Sequence, residues 1–115
     1  MFNPLSGRIL SICPFEPVLA ERGALLGQQG YQIVSCEDPA VAQPLAMMER
    51  FSLVIVGHGF ELREVREMIC WIRHKGIPVL LVHEGSQPSI AVDAFLPRVH
   101  LPEQLIRVVG WLAWS

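Results

Sequence analysis

The sequence predicts a doubly wound α/β fold: a five-stranded parallel sheet in the order 2-1-3-4-5, helices on both faces, and a fourth helix shortened or absent. Two observations carry this. Leu53 to Val56 and Val79 to Val82 are unbroken aliphatic runs without alternation, the pattern of strands buried on both faces. Between such runs lie segments of helical period closed by Gly30 and Gly76. Strand and helix therefore alternate along the chain, and each crossover returns right-handed to a parallel neighbour.

Gly7 to Cys13 reads as the first strand, ended by Pro14-Phe15-Glu16-Pro17. Pro17 suits the first turn of a helix, here Val18 to Gln29, with Leu19 and Leu26 on one face and Gly23 between them allowing close approach to the sheet. Arg22, Val18 and Leu25 blur that stripe. Tyr31 to Cys36 is the second strand. Asp38-Pro39 supplies an N-cap followed by proline at the first helical position. The second helix covers Val41 to Arg50, with a kink at Pro44 or a start as late as Gln43-Pro44, because an interior proline lacks a helical hydrogen bond.

The third strand is Leu53 to Val56, and the helix Glu61 to Lys75 follows, with Leu62, Val65, Ile69 and Ile72 at helical spacing. Ile77 to His83 is the fourth strand. Glu84 to Ile90 is polar, with room for at most one helical turn, and Val92 to Leu96 is a short fifth strand. Pro102 opens a last helix to Trp114, with Leu101, Leu105, Val108, Val109 and Leu112 inward.

With 115 residues, 51% of them hydrophobic, the chain is expected to be one domain with one real core. A net charge of −2 and no cluster of Lys and Arg argue against nucleic acid. The apolar runs are too short to span a bilayer, and no charged start with an apolar core suggests a signal peptide. Three cysteines without CxxC spacing point to a reducing cytosol rather than a disulfide framework. Positive mean hydropathy leaves apolar surface for a protein partner or self-association.

Segment by segment the chain resembles the receiver domain of bacterial response regulators, CheY-like and flavodoxin-like, over nearly all of residues 1–115. Arg8 to Cys13 and Glu16-Pro17 resemble the receiver's first strand and acidic turn. Gly30-Tyr31 leads into its second strand. Arg50 to Gly57 resembles the third strand, which in the family ends on the phosphoryl-accepting Asp. Ile77 to His83 resembles the strand ending on Ser or Thr, and Ala94 to Arg98 the strand ending on Lys, with Pro102-Glu103-Gln104-Leu105 opening the last helix.

The departures carry the functional expectation. The resemblance implies an acidic pair for a divalent cation, since such a metal demands oxygen ligands; here Cys13, Pro14 and Phe15 stand with only Glu16 nearby. Gly57 takes the acceptor's place, His83 that of the hydroxyl and Arg98 that of the Lys, a cation of different geometry. The expectation is a pseudo-receiver, not an enzyme, without cofactor or metal. Cys13, Glu16, Gly57, His58, His83 and Arg98 would line a vestigial pocket at the strand carboxyl edge, where open α/β folds place their sites.

Other chemistry at that edge is weaker. Cys13, His58 and His83 could bind zinc with Glu84 or Glu16 as fourth ligand, though no paired spacing supports it. Cys13 with a His base lacks a third, orienting residue. Gly57 with Arg98 could hold a small anion or nucleotide, but the glycines match no phosphate-binding motif. His58, between Gly57 and Gly59, reads best as a residue capping the tight turn, and His74 and His100 as solvent-facing. On the last helix Ile106, Trp111 and Trp114 fall off the core face, as Trp71 does on the third helix. Such aromatics are enriched at interfaces, so a homodimer or partner contact through the last helix is expected.

Overall fold

The computed structural model describes residues 7–85 and 88–113. Five strands, β1 (Arg8–Ile12), β2 (Gln32–Cys36), β3 (Leu53–Val56), β4 (Val79–His83) and β5 (Ala94–Pro97), alternate with α1 (Glu16–Gln28), α2 (Pro39–Met48), α3 (Leu62–His74) and α4 (Pro102–Ala113). The sheet is wholly parallel, in the order β2-β1-β3-β4-β5.

The aliphatic runs divide their side chains between two cores, because successive strand residues point to opposite faces. Ile9, Leu53, Ile55, Leu80 and Val82 pack with Leu26 of α1 and Leu105, Val109 and Ala113 of α4. Leu10, Ile12, Val54, Val56 and Leu81 pack with Ala42 and Ala46 of α2 and Val65, Met68 and Ile72 of α3. Helices therefore cover both faces, and β3, buried at all four positions, sits at the centre.

α2 begins at Pro39 and runs through Pro44, not from Gln43. Proline is tolerated at the first helical position, and the Asp38 side chain accepts a hydrogen bond from the Ala40 N–H at 2.9 Å, which fixes the early start. α3 opens with a reciprocal capping box between Glu61 and Glu64. Its inward stripe is Val65, Met68, Ile69 and Ile72, whereas Leu62, in the first turn, is exposed. Trp71 is half-buried and packs on the core instead of facing outward.

Among the described residues no helix lies between β4 and β5. Ile90 and Val92 from this connection pack against the α2/α3 core, and Asp93 anchors its end. The Asp93 carboxylate accepts from the Val79 N–H at 2.8 Å, and the Asp93 N–H donates to the Val79 carbonyl at 3.1 Å. This pairing places β5 two residues later than Val92.

On α4 the inward face is Leu105, Val109 and Ala113, with Val108 and Leu112 half-buried. Leu101 lies outside the helix and is 63% exposed, contrary to its expected inward position. Gly23 is not a close approach: a Cβ there would meet nothing nearer than 3.9 Å. No described helix is long and apolar enough to cross a membrane.

Candidate functional site

The carboxyl edge of the sheet brings Cys13, Gly57 and His58 together. β1 and β3 are neighbours in register, with Ile12 opposite Val56, so the residue after each strand meets its counterpart. The Gly57 N–H donates to the Ile12 carbonyl at 2.7 Å, and the Cys13 thiol donates to the His58 carbonyl at 3.7 Å. A Cβ at position 57 would lie 2.9 Å from the Cys13 Cβ and 3.0 Å from the Ile12 carbonyl oxygen. The space that a side chain would fill at Gly57 is occupied. Gly59 turns the chain at φ +105°, where a Cβ would strike the Phe15 ring at 2.5 Å.

His58 is buried beneath this turn, 8% exposed, with its ring centroid 5.3 Å from that of Phe15. Its Nδ1 is buried without a hydrogen-bond partner, so the ring does not cap the turn through that atom, as the sequence had suggested. Burial holds its pKa below the ordinary histidine value; the nearby Arg98 and Arg22 lower it further, and Glu84 opposes them.

The remaining expected residues are spread along the same edge. His83 ends β4 half-buried, and its carbonyl accepts from the Arg98 N–H at 2.9 Å. Arg98 is exposed and ion-paired with Glu84. Glu16 faces solvent at the start of α1. Among the described residues no three His, Cys, Asp or Glu side chains converge to hold a metal ion. Cys13, His58 and His83 are thus not gathered with a further such residue into one cluster.

Beside this edge lies a cavity of about 350 Å³ between α1 and the β5–α4 connection. Arg22, Glu21 and Leu25 line it from α1, His58 from the β3–α3 turn, and Arg98, Val99 and His100 from the segment after β5. Arg22 is 6% exposed and lies in the inward stripe of α1 between Leu19 and Leu26. Its Nη1 has no hydrogen-bond partner. Burial lowers its pKa, with Cys13 and Glu21 opposing. His100 is half-buried, not solvent-facing, and its Nδ1 lies 2.7 Å from the Pro97 carbonyl. Sequence reasoning missed the roles of Arg22 and His100. The available signal was a single cation in an apolar stripe.

No protein-family model matches this sequence, and no curated protein does either. Solved structures do. The signal receiver domain of a signal transduction histidine kinase from Syntrophus aciditrophicus superposes with a TM-score of 0.83 at 19% identity, over 94% of this chain and 90% of that one. The chain has the receiver fold. The chemotaxis response regulator CheY4 of Vibrio cholerae gives a TM-score of 0.81 at 17% identity, over 92% of this chain and 98% of that one. A putative pilus assembly-related protein from Burkholderia pseudomallei gives 0.79 at 18%, over 99% and 94%. Within that fold this chain has Gly57 just after the central strand, with Cys13 against it, and no helix before β5 among the described residues.

Proposed function

We propose that this receiver-fold domain does not accept a phosphoryl group and acts as a protein interaction or dimerisation module in two-component-type signalling, in the cytoplasm. The observation that carries the reading is Gly57: the position has no carboxylate, and Cys13 and the Ile12 carbonyl fill the space for one. Cys13, Glu16, His83 and Arg98 supply neither the acidic pair, the hydroxyl nor the Lys that phosphoryl chemistry on this fold would use. On this reading the edge is a vestigial phosphoryl-transfer pocket, to which His58 belongs.

The contact surface is assigned to α4. Trp111 is 73% exposed, and Ile106, half-buried, lies on the opposite flank of the helix, across the inward face of Leu105 and Val109. A tryptophan held in water on a regular helix supplies a large apolar area to any partner that covers it. Trp71 packs on its own core and contributes less, and Trp114 lies outside the described residues.

Incubation with acetyl phosphate and magnesium, followed by intact-mass measurement, tests the first half: the expected mass is unchanged, and a stable acyl phosphate overturns it. Sedimentation across a concentration series, for the wild type and Trp111→Glu, tests self-association. Loss of a wild-type dimer in the variant supports the α4 surface, whereas a dimer that the variant leaves intact removes it.

A further inference from the structure

We propose that the cavity between α1 and the β5–α4 connection binds a small organic anion, a phosphate or carboxylate head on an apolar body, with Arg22 and His58 at its floor and Arg98 and His100 at its mouth. The inference does not depend on whether Gly57 has replaced an acceptor.

Arg22 is the first reason. A guanidinium carries five N–H donors and keeps its charge under all ordinary conditions. Burying it costs free energy unless it is paired and hydrogen-bonded. Arg22 is more than nine-tenths buried, yet among the described residues it makes no ion pair, and its Nη1 has no partner. The second reason is that His58, also more than nine-tenths buried, lines the same cavity with an unpartnered Nδ1. Of the three buried side-chain atoms without a partner among the described residues, two belong to residues lining this one cavity. The third, Ser11 Oγ, shares a strand face with Ile9, under α1.

The third reason is the sign of the surroundings. The positive charges of Arg22 and Arg98 both act on His58, so a ligand there meets a positive field. The opposing groups are Glu21, on the rim from α1, and Glu84, paired to Arg98. That pair is more than half exposed on both sides, and exposed ion pairs are weak because solvent screens them, so an anion can take Arg98 from Glu84. Pro102, the first residue of α4, also lines the cavity, which brings the positive end of that helix to the mouth.

The apolar share of the lining fixes the rest of the ligand. Val18, Leu25 and Leu105 form walls alongside the cations. A volume of about 350 Å³ lies at the small end of ligand sites. It suits a compact molecule with one charged head rather than a polymer. Buried floor groups also argue against a flat protein partner, which would reach only the exposed Arg98 and Val99.

The test is a titration with inorganic phosphate, adenosine 5′-monophosphate, benzoate and uncharged adenosine at constant ionic strength, followed by the histidine imidazole NMR signals. Saturable shifts of His58 and His100, with His74 unmoved, are expected for the anions, strongest for those with an apolar body, and none for adenosine. Arg22→Gln and Arg98→Gln should each weaken binding by roughly tenfold or more, the scale of one lost charge-assisted hydrogen bond. No saturable shift with any anion overturns the proposal, as does equal affinity in Arg98→Gln, an exposed site whose replacement leaves the fold intact even if Arg22→Gln does not fold. Adenosine binding as tightly as its monophosphate overturns the anion assignment.

Discussion

Gly57 and Cys13 are packed so that a β-carbon on the glycine would lie 2.9 Å from the β-carbon of the cysteine and 3.0 Å from the Ile12 carbonyl oxygen. Both neighbours belong to the end of β1, whose backbone is fixed by pairing to β2 and β3, so neither can withdraw cheaply. Gly57→Ala should destabilise the fold by about 1–3 kcal/mol, the usual scale of overpacking in a tight core, measured by urea unfolding. Gly57→Asp should do at least as much harm and should remain inert to acetyl phosphate. Adding Cys13→Gly should recover part of the Gly57→Ala loss, since it removes the nearest atom. A neutral Gly57→Ala would mean that the strand ends separate more easily than this geometry implies.

Asp93 anchors the connection between β4 and β5, which has no helix among its described residues. Its carboxylate satisfies the Val79 N–H at the start of β4 and lies 3.8 Å from the Arg73 guanidinium of α3. Asp93→Ala would strand the amide and free the end of the connection. A loss of about 1–3 kcal/mol follows from leaving a partly buried donor without its acceptor, and amide exchange at Val79 and Leu80 should quicken more than exchange in β1. Asp93→Asn, which keeps an acceptor oxygen, should lose less.

The sheet was legible because its signal is chemical and local: aliphatic runs of strand length separated by helical periods admit few other topologies. The same pattern placed Cys13, Gly57 and His58 at one edge. It could not say that Cys13 fills the space beside Gly57, because that depends on a distance between strands. The start of α2 cannot be read from Pro44, because the cap at Asp38 outweighs the cost of that proline. Leu101 is exposed despite its hydrophobicity because it precedes α4, where helical spacing no longer sets direction. Arg22 was visible as an interruption in the α1 stripe, but only the fold shows that it is buried without a partner beside His58.

His58 makes stability depend on pH in a definite direction. Its folded-state pKa lies below the ordinary value, first through burial and then through Arg98 and Arg22, with Glu84 opposing. Below the unfolded-state value of about 6.5, the unfolded chain takes up a proton that the folded chain refuses. Stability at this residue is therefore constant above that pH and falls as pH drops from there to the folded-state value. His58→Gln, which cannot titrate, should flatten this part of the acid limb in urea unfolding followed from about pH 8 to about pH 5. An unchanged slope in the variant would assign the acid loss to other groups. A bound anion should oppose the effect, since it favours the protonated ring.

Trp111 stands apart from the core that its helix builds. Leu105, Val109 and Ala113 carry the packing of α4, and Trp111 is 73% exposed. Its replacement by Glu should shift unfolding by no more than about 0.5 kcal/mol, the ordinary range for a surface site. A substantially larger loss of monomer stability would show that the indole is held against the domain and is not presented to a partner.

Arg22 sets the balance between stability and the proposed site. It occupies a position in the α1 stripe where Leu19 and Leu26 on either side are buried hydrophobics, and a leucine or methionine there would continue the stripe. Replacing a buried, unpaired charge with an apolar residue of similar volume removes its desolvation cost without opening a large cavity. Arg22→Met should therefore raise stability in anion-free buffer by about 1–3 kcal/mol. Adenosine 5′-monophosphate should stabilise the wild type and not the variant, because a ligand that binds only the folded state adds stability in proportion to the logarithm of its saturation. The gap between the two proteins should close as the ligand is added. A variant less stable than the wild type in anion-free buffer would show instead that Arg22 already holds the fold together by its packed stem or by solvent contacts, and that its charge carries no cost for a ligand to relieve.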